Sequence, residues 1–420
     1  MTPSSRTWIG AFLCLQFAMV ACGSNGGEAV AAPPAGTPAP PAAGTPPSPP
    51  PPPPPPPAAS PPPASTAGAK FSFLAYGDSR SGNGCDGNKV HISLVNRMAQ
   101  EANALFVFNL GDMITGYDAS TNWVQKGNCT AADSQGSFKD IVAPLMNKPA
   151  PAGLSTAYFP VVGNHDDNWN DGWYPDPFGN GFCDVFKPQS FVPNHTQKAY
   201  FAGTADMRIS DTDFYTLACS TTKRDVYPTY LYYSFDYANS HFTVMRLNSD
   251  YDDLEECNNK TAPKDYNNCF RLHQLDWLRA DLAEASTRAG IQNLFVLLHA
   301  PLFTTADGHA AQVSWPTLSK EFSKYNVKVV FTGHNHVYER SVPIFASAAS
   351  PNGVQDNLKG TVYTVTGGGG SQLHYFPPGT NPLIVKRDRS FHYLRVDVDG
   401  GAVNVKAILQ DGTVMDSYSR

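Results

Sequence analysis

Five stretches of strand length, each almost wholly apolar, run straight into small clusters of Gly, Asp, Asn and His. No other feature of the chain restricts its fold as much. Residues 71–76 (Phe-Ser-Phe-Leu-Ala-Tyr) lead into Gly77-Asp78-Ser79-Arg80, and residues 104–110 lead into Gly111-Asp112. Residues 158–162 lead into Gly163-Asn164-His165-Asp166, and residues 293–298 into His299-Ala300-Pro301. Residues 327–331 pass through Thr332 into Gly333-His334-Asn335-His336. Apolar runs without in-and-out alternation suit strands covered on both faces. Between them, residues 90–104 carry Ile92, Leu94, Val95 and Met98 at helical spacing. Residues 273–289 do the same with Leu275, Trp277, Leu278, Leu282 and Ala285. Strands alternating with such helices predict an α/β fold in which helices cover central sheets. Past Gly360, the alternation of Val362 and Thr364, of Tyr393, Arg395 and Asp397, and of Val403 and Val405 predicts antiparallel strands. Residues 167–240 are rich in Asn, Gly, Pro and aromatics and show little periodicity; loops of that length are usually functional or disulfide-stapled.

The amino-terminal part cannot join such a core. Residues 1–22 hold Arg6, an apolar stretch from Trp8 to Val20 and then Ala21-Cys22, which reads as a secretory signal. It resembles a bacterial lipoprotein signal, in which Cys22 becomes the lipid-bearing first residue; an ordinary cleaved signal peptide is the alternative. Residues 23–69 are chiefly Ala, Pro, Gly, Ser and Thr, with unbroken proline from Pro49 to Pro57. Such a segment buries too little apolar surface to fold and favours extended polyproline II. It predicts a tether holding one domain, residues 70–420, off a membrane or envelope. The expectation is an exported protein of the periplasm or cell surface, attached to the membrane through a lipid anchor at Cys22. A formal net charge of −6 with no Lys/Arg-rich run argues against a nucleic-acid partner. Eight cysteines include Cys14 and Cys22; the other six suit an exported, disulfide-bonded chain, with neighbour pairing 85–129, 183–219 and 257–269 as the expectation. None has C-x-x-C spacing, so a zinc–thiolate site is not expected.

The five strand ends present Asp78, Asp112, Asn164 with His165, His299, and His334 with His336. In layered α/β folds, ligands sit beyond the carboxyl ends of strands. Mixed oxygen and nitrogen donors suit Fe, Mn or Zn rather than Ca or Mg. The set exceeds what one tetrahedral ion needs, so two metal ions sharing a carboxylate is the economical reading. Two cations about 3.5–4 Å apart can bind a phosphoryl group and align a hydroxide for attack.

The order Asp78, Gly111-Asp112, Gly163-Asn164-His165-Asp166, His299, Gly333-His334-Asn335-His336 resembles the calcineurin-like metallophosphoesterase superfamily. His336-Val337-Tyr338-Glu339-Arg340, Gln274-x-x-Trp277-Leu278 and the run Thr364-Val365-Thr366-Gly367-Gly368-Gly369-Gly370 are similar to its purple acid phosphatase branch. The resemblance covers about residues 70–410. It implies a four-layer α/β/β/α sandwich with mixed central sheets. Asp78 and His336 would hold the first metal, Asn164, His299 and His334 the second, with Asp112 bridging. His165 would be the general acid, oriented or tuned by Asp166. The chemistry implied is hydrolysis of phosphate monoesters on small phosphorylated molecules by a metal-bound hydroxide. A phosphodiesterase or nucleotidase, or a surface-displayed binding protein without turnover, are the alternatives. Two positions depart from the pattern. Arg80 stands where many members have His, and Thr115 stands where purple enzymes have a tyrosine ligand. The first metal then has three protein ligands plus water, or Tyr117 reaches it. Arg80 is either a phosphate grip through its guanidinium fork or a surface arginine paired with a carboxylate. His91, His195, His241, His273, His309, His374 and His392 read as ordinary histidines, although His195, His309 and His374 lie in loops near the expected pocket. Tyr338, Glu339 and Arg340 read as locking the histidine loop, and Asn248 and Asp250 as turn formers.

Overall fold

The computed structural model describes residues 68–79, 85–115, 123, 129–151, 154, 156–166, 185–186, 232–247, 272–312 and 314–420. The signal, the tether as far as residue 67, Arg80, Tyr117, His195, Asn248, Asp250, Cys183, Cys219, Cys257 and Cys269 fall outside them. Two mixed sheets organise the described chain. The first holds β1 (Lys70–Tyr76), β2 (Ala104–Asn109), β3 (Tyr158–Pro160), β13 (His392–Asp399), β14 (Ala402–Leu409) and β15 (Val414–Ser419), in the order β15-β14-β13-β1-β2-β3. The second holds β4 (Tyr233–Tyr237), β5 (Ser240–Val244), β6 (Asn293–Leu297), β7 (Val329–Thr332), β8 (Tyr338–Ser341), β11 (Val362–Thr366) and β12 (Ile384–Asp388). Its order is β12-β8-β11-β7-β6-β5-β4. A small hairpin joins β9 (Ile344–Phe345) to β10 (Val354–Gln355).

Side-chain parity explains the layering. Phe73 and Ala75 of β1, Phe106 and Phe108 of β2 and Phe159 of β3 share one core with Phe242, Phe295, Leu297, Val329 and Phe331 of the second sheet. Phe73 stacks on Phe106 at 5.5 Å and meets Phe295 edge-on, also at 5.5 Å. The alternate residues Leu74, Tyr76, Val107 and Tyr158 face outward to α1 (Cys85–Ala99) and α2 (Phe138–Met146). On the far side, Leu294, Val296, Leu298 and Val330 pack on α3 (Leu272–Thr287) and α4 (Trp315–Lys324). Because the central strands are covered on both faces, β1, β2, β6 and β7 are nearly continuous apolar runs, whereas β5 buries the polar His241 and Thr243. The architecture is the expected α/β/β/α sandwich.

Local details differ from the sequence reading. The first helix begins at Cys85 rather than at Val90, and it stops at Ala99, because Asn103 turns through a left-handed conformation (φ 61°) into β2. Its polar start is held by the Cys85–Cys129 disulfide and by Asn88, whose Nδ2 donates to the Ser134 carbonyl at 3.3 Å. That disulfide is the expected pairing. α2 opens with a Ser137–Asp140 capping box, and β4 forms within the aperiodic stretch. Among the late strands, β13–β15 are antiparallel as expected, but β11 pairs parallel with β7 and antiparallel with β8. Gln274 clamps the Arg246 backbone, accepting from its N–H at 2.6 Å and donating to its carbonyl at 2.9 Å, while Trp277 and Leu278 are buried.

Candidate metal centre

Beyond β1, the chain turns at Asp78, whose backbone N–H donates to the Gly111 carbonyl at 2.9 Å. Asp78 (φ 62°), Asp112 (φ 52°) and His334 (φ 67°) all adopt the left-handed backbone conformation. For residues with a Cβ this typically costs on the order of 1–3 kcal/mol, held by the surrounding structure. The hold is visible. The Asp78 carboxylate accepts the His334 N–H at 3.0 Å, tying the end of β1 to the end of β7. A Cβ at Gly163 would collide with Asp112, and one at Gly333 with Asp78, so these glycines let the strand ends close on one another. Asp166 accepts from the N–H groups of Met113 (2.8 Å) and Gly163 (2.9 Å), and this buried carboxylate therefore staples the loops after β2 and β3. Burial and the neighbouring Asp112 charge push its pKa well above the ordinary carboxylate value.

Two donor sets result, sharing Asp112. Asp112, His299 and His334 form one, with ligand atoms within 4.8 Å of one another; Asp78, Asp112 and His336 form the other. All five side chains are buried. In the first set, His299 Nε2 lies 3.3 Å from Asp112 Oδ1, 3.2 Å from Asn164 Oδ1 and 3.1 Å from His334 Nδ1. In the second, His336 Nε2 is 3.6 Å from Asp78 Oδ1. Backbone carbonyls set the tautomers, because a carbonyl only accepts. His299 Nδ1–H donates to Leu110 O at 2.7 Å and His336 Nδ1–H to Gln372 O at 2.7 Å, which turns each Nε2 lone pair inward. Burial and the neighbouring imidazoles hold the His334 pKa well below its ordinary value. Three imidazoles, two carboxylates and an amide oxygen thus converge on one place. One cation in each donor set would be met by these atoms, and the O/N donor chemistry fits Fe, Mn or Zn.

His165 stands beside this centre. Its N–H donates to Asp112 Oδ1 at 2.9 Å and its Nδ1–H to the Thr115 carbonyl at 2.5 Å, leaving Nε2 3.9 Å from Asp112 Oδ2.

Comparison with known proteins agrees with this geometry. The family model "Calcineurin-like phosphoesterase" matches residues 84–338, more than half of the chain. The chain belongs to the calcineurin-like phosphoesterase family. Purple acid phosphatase 22 of Arabidopsis thaliana is 31% identical over 177 residues, covering 41% of this chain and 35% of the relative. Probable inactive purple acid phosphatase 27 of the same plant is 23% identical over 257 residues, covering 59% and 34%. The chain thus spans about a third of the length of the curated relatives it matches. Among solved structures, the purple acid phosphatase PPD1 from yellow lupin seeds aligns at 18% identity and a TM-score of 0.49, over 84% of this chain and 54% of that one.

Within this calcineurin-like site the six sequence-picked candidates Asp78, Asp112, Asn164, His299, His334 and His336 converge, with His165 alongside. Asp166 holds backbone rather than being hydrogen-bonded to the His165 ring: its carboxylate is engaged by the N–H groups of Gly163, Met113 and Ile114. Two histidines read as ordinary lie against the centre. The His309 ring stacks on His334 at 3.7 Å, and the His374 ring stacks on His336 at 4.0 Å. Asn335 braces the first of these loops, its Nδ2 donating to Thr304 Oγ1 at 2.9 Å and to the His309 carbonyl at 3.0 Å. Glu339 accepts from the Thr305 N–H at 2.8 Å in the loop before His309, and Arg340 pairs with Asp416 of β15 at 2.7 Å. The glycine run feeding His374 was the available sequence signal: Gly369 N–H donates to Gly77 O and Ser371 N–H to Asp78 O, both at 2.9 Å, seating that segment on the first strand end.

Proposed function

We propose that this chain is a dinuclear metal-dependent phosphoesterase that hydrolyses phosphate monoesters of small molecules. The observation that carries the reading is the pair of buried donor sets joined through Asp112. Asp78 and His336 would hold one ion, Asn164, His299 and His334 the other, with Asp112 between them. When bound, such ions supply positive charge to phosphoryl oxygens and lower the pKa of water. The chain's own part is proton delivery and positioning. With His165 Nδ1–H committed to the Thr115 carbonyl, only Nε2 is left to hand a proton to the departing alkoxide as the phosphorus–oxygen ester bond breaks and the new bond to water oxygen forms. Asp166 keeps the loops carrying Asp112 and His165 in register. Arg80 is proposed to grip a phosphate oxygen and Tyr117 to complete the first metal's shell. Export and attachment at Cys22, with residues 23–69 as tether, complete the proposal.

Metal content measured with a panel of monoesters and diesters tests it. About two equivalents of metal per chain, with chelator-sensitive release of phosphate from monoesters, is the expected result. A fully metal-loaded chain that cleaves no monoester overturns it; cleavage of diesters alone moves the reading to a phosphodiesterase, and no turnover to a binding protein on the same scaffold.

A further inference from the structure

The segment 372–376 and Arg389, just past β12, build an aromatic face beside the second donor set. His374 lies flat on His336, its N–H donates to the His336 carbonyl at 3.2 Å, and Tyr375 follows it directly in the chain. Tyr375 is clasped to the opposite loop: its N–H donates to Asp307 Oδ1 at 2.7 Å and its carbonyl accepts the Asp307 N–H at 2.9 Å. That loop carries His309, which stacks on His334 in the other donor set. The Arg389 guanidinium lies 4.0 Å from the centre of the Tyr375 ring. It is itself pinned, Nε donating to the His374 carbonyl at 2.8 Å and Nη2 to the Leu373 carbonyl at 3.0 Å. Yet Tyr375 remains 59% exposed.

The Tyr375 backbone is fixed at both its N–H and its carbonyl, and its ring, backed on one face by the pinned Arg389, is still in water. Its conformational cost is met before any ligand arrives, and the cation occupies one face only. We propose that Tyr375, backed by Arg389, is a stacking platform for the planar aromatic group of a phosphate ester whose phosphoryl group occupies the centre. The substrate class is then esters of phenols or of other aromatic alcohols rather than aliphatic monoesters. This inference rests on the phosphoesterase reading above.

Calorimetric binding of phenylphosphonate and methylphosphonate to the metal-loaded full chain tests it without turnover. An aromatic contact of this kind makes the phenyl compound bind about fivefold tighter. Tyr375→Ala brings the ratio of the two affinities close to one, whereas Tyr375→Phe, which keeps the ring, preserves it. A ratio near one in the wild type, or a ratio that survives Tyr375→Ala, overturns the platform while leaving the phosphoesterase reading intact. Equal losses of both affinities in Tyr375→Ala also overturn it. A metal-loaded chain that binds neither compound overturns both readings together.

Discussion

Two buried polar clusters in this molecule look alike in composition and behave in opposite ways. At the carboxyl ends of the strands, Asp78, Asp112, His299, His334 and His336 aim lone pairs at one another. Between β4, β5 and α3, His241 lies between Asp236 Oδ1 (2.7 Å) and Asp281 Oδ2 (3.0 Å), and Asp281 also accepts from Ser234 (2.5 Å) and Thr243 (2.8 Å). Arg288 pairs with Asp236 as well. In this second cluster each acceptor meets a donor, and the His241 and Arg288 cations balance two carboxylates. Against the downward push of burial, the Asp281 charge and hydrogen bonds to Asp236 and Asp281 hold the His241 pKa up at about 9. The first cluster gathers two carboxylates and three imidazoles whose ligand atoms suit cations, whereas in the second the donors and acceptors pair with one another. Residue type alone does not mark a site; the convergence of metal-ligating atoms from several strand ends does.

The sharpest break of that contrast is Asp112→Ala. Removing the shared carboxylate is expected to drop metal content below two equivalents and abolish monoester hydrolysis, both read on the same sample. His165→Ala is expected to lower kcat by about 10²–10⁴-fold at full metal loading, with the larger losses on esters of poor leaving alcohols. A rate independent of leaving-group basicity in that variant would remove His165 as the acid. In the closed cluster, Asp281→Ala strands a buried cation and is expected to cost about 3–5 kcal/mol of unfolding free energy in denaturant titration, with metal content intact. The pH dependence follows its sign: a folded pKa above the unfolded value stabilises fully below about 6.5 and is lost as pH rises through about 9, a fall on the order of 3 kcal/mol absent from His241→Gln. Smallest is the metal-linked gain. At 100 times the dissociation constant it should raise stability by about 2.7 kcal/mol in the wild type, and chelator should remove it while sparing the His241 cluster.

Much of this was legible before the fold was known. The strand-end positions of Asp78, Asp112, Asn164, His299 and His334 follow from apolar runs that end abruptly. Less visible were groups whose importance comes from a neighbour far along the chain. His241 sits in an ordinary strand, and nothing local shows that Asp281 on α3 will meet it. His309 and His374 stand in polar loops, and their stacking on His334 and His336 depends on where Asn335 and the glycine run place those loops. Asp166 follows His165 directly, which suggested a partnership, yet the turn points its carboxylate at the backbone of Met113 instead.

By itself, then, the sequence determined which chemical groups stand at the ends of β1, β2, β3, β6 and β7, because burial on both faces favours nearly continuous apolar runs there and the polar residues gather where those runs stop. Only the tertiary structure decided how those groups combine. Carboxylate and amide donors arrive from the six-stranded sheet and imidazoles from the seven-stranded one, with Asp78 and His334 joined across 256 residues of chain. Packing Phe73 and Phe106 against Phe242 and Phe295 is what sets the two sheets face to face, and that apolar seam brings the donors within reach of one another.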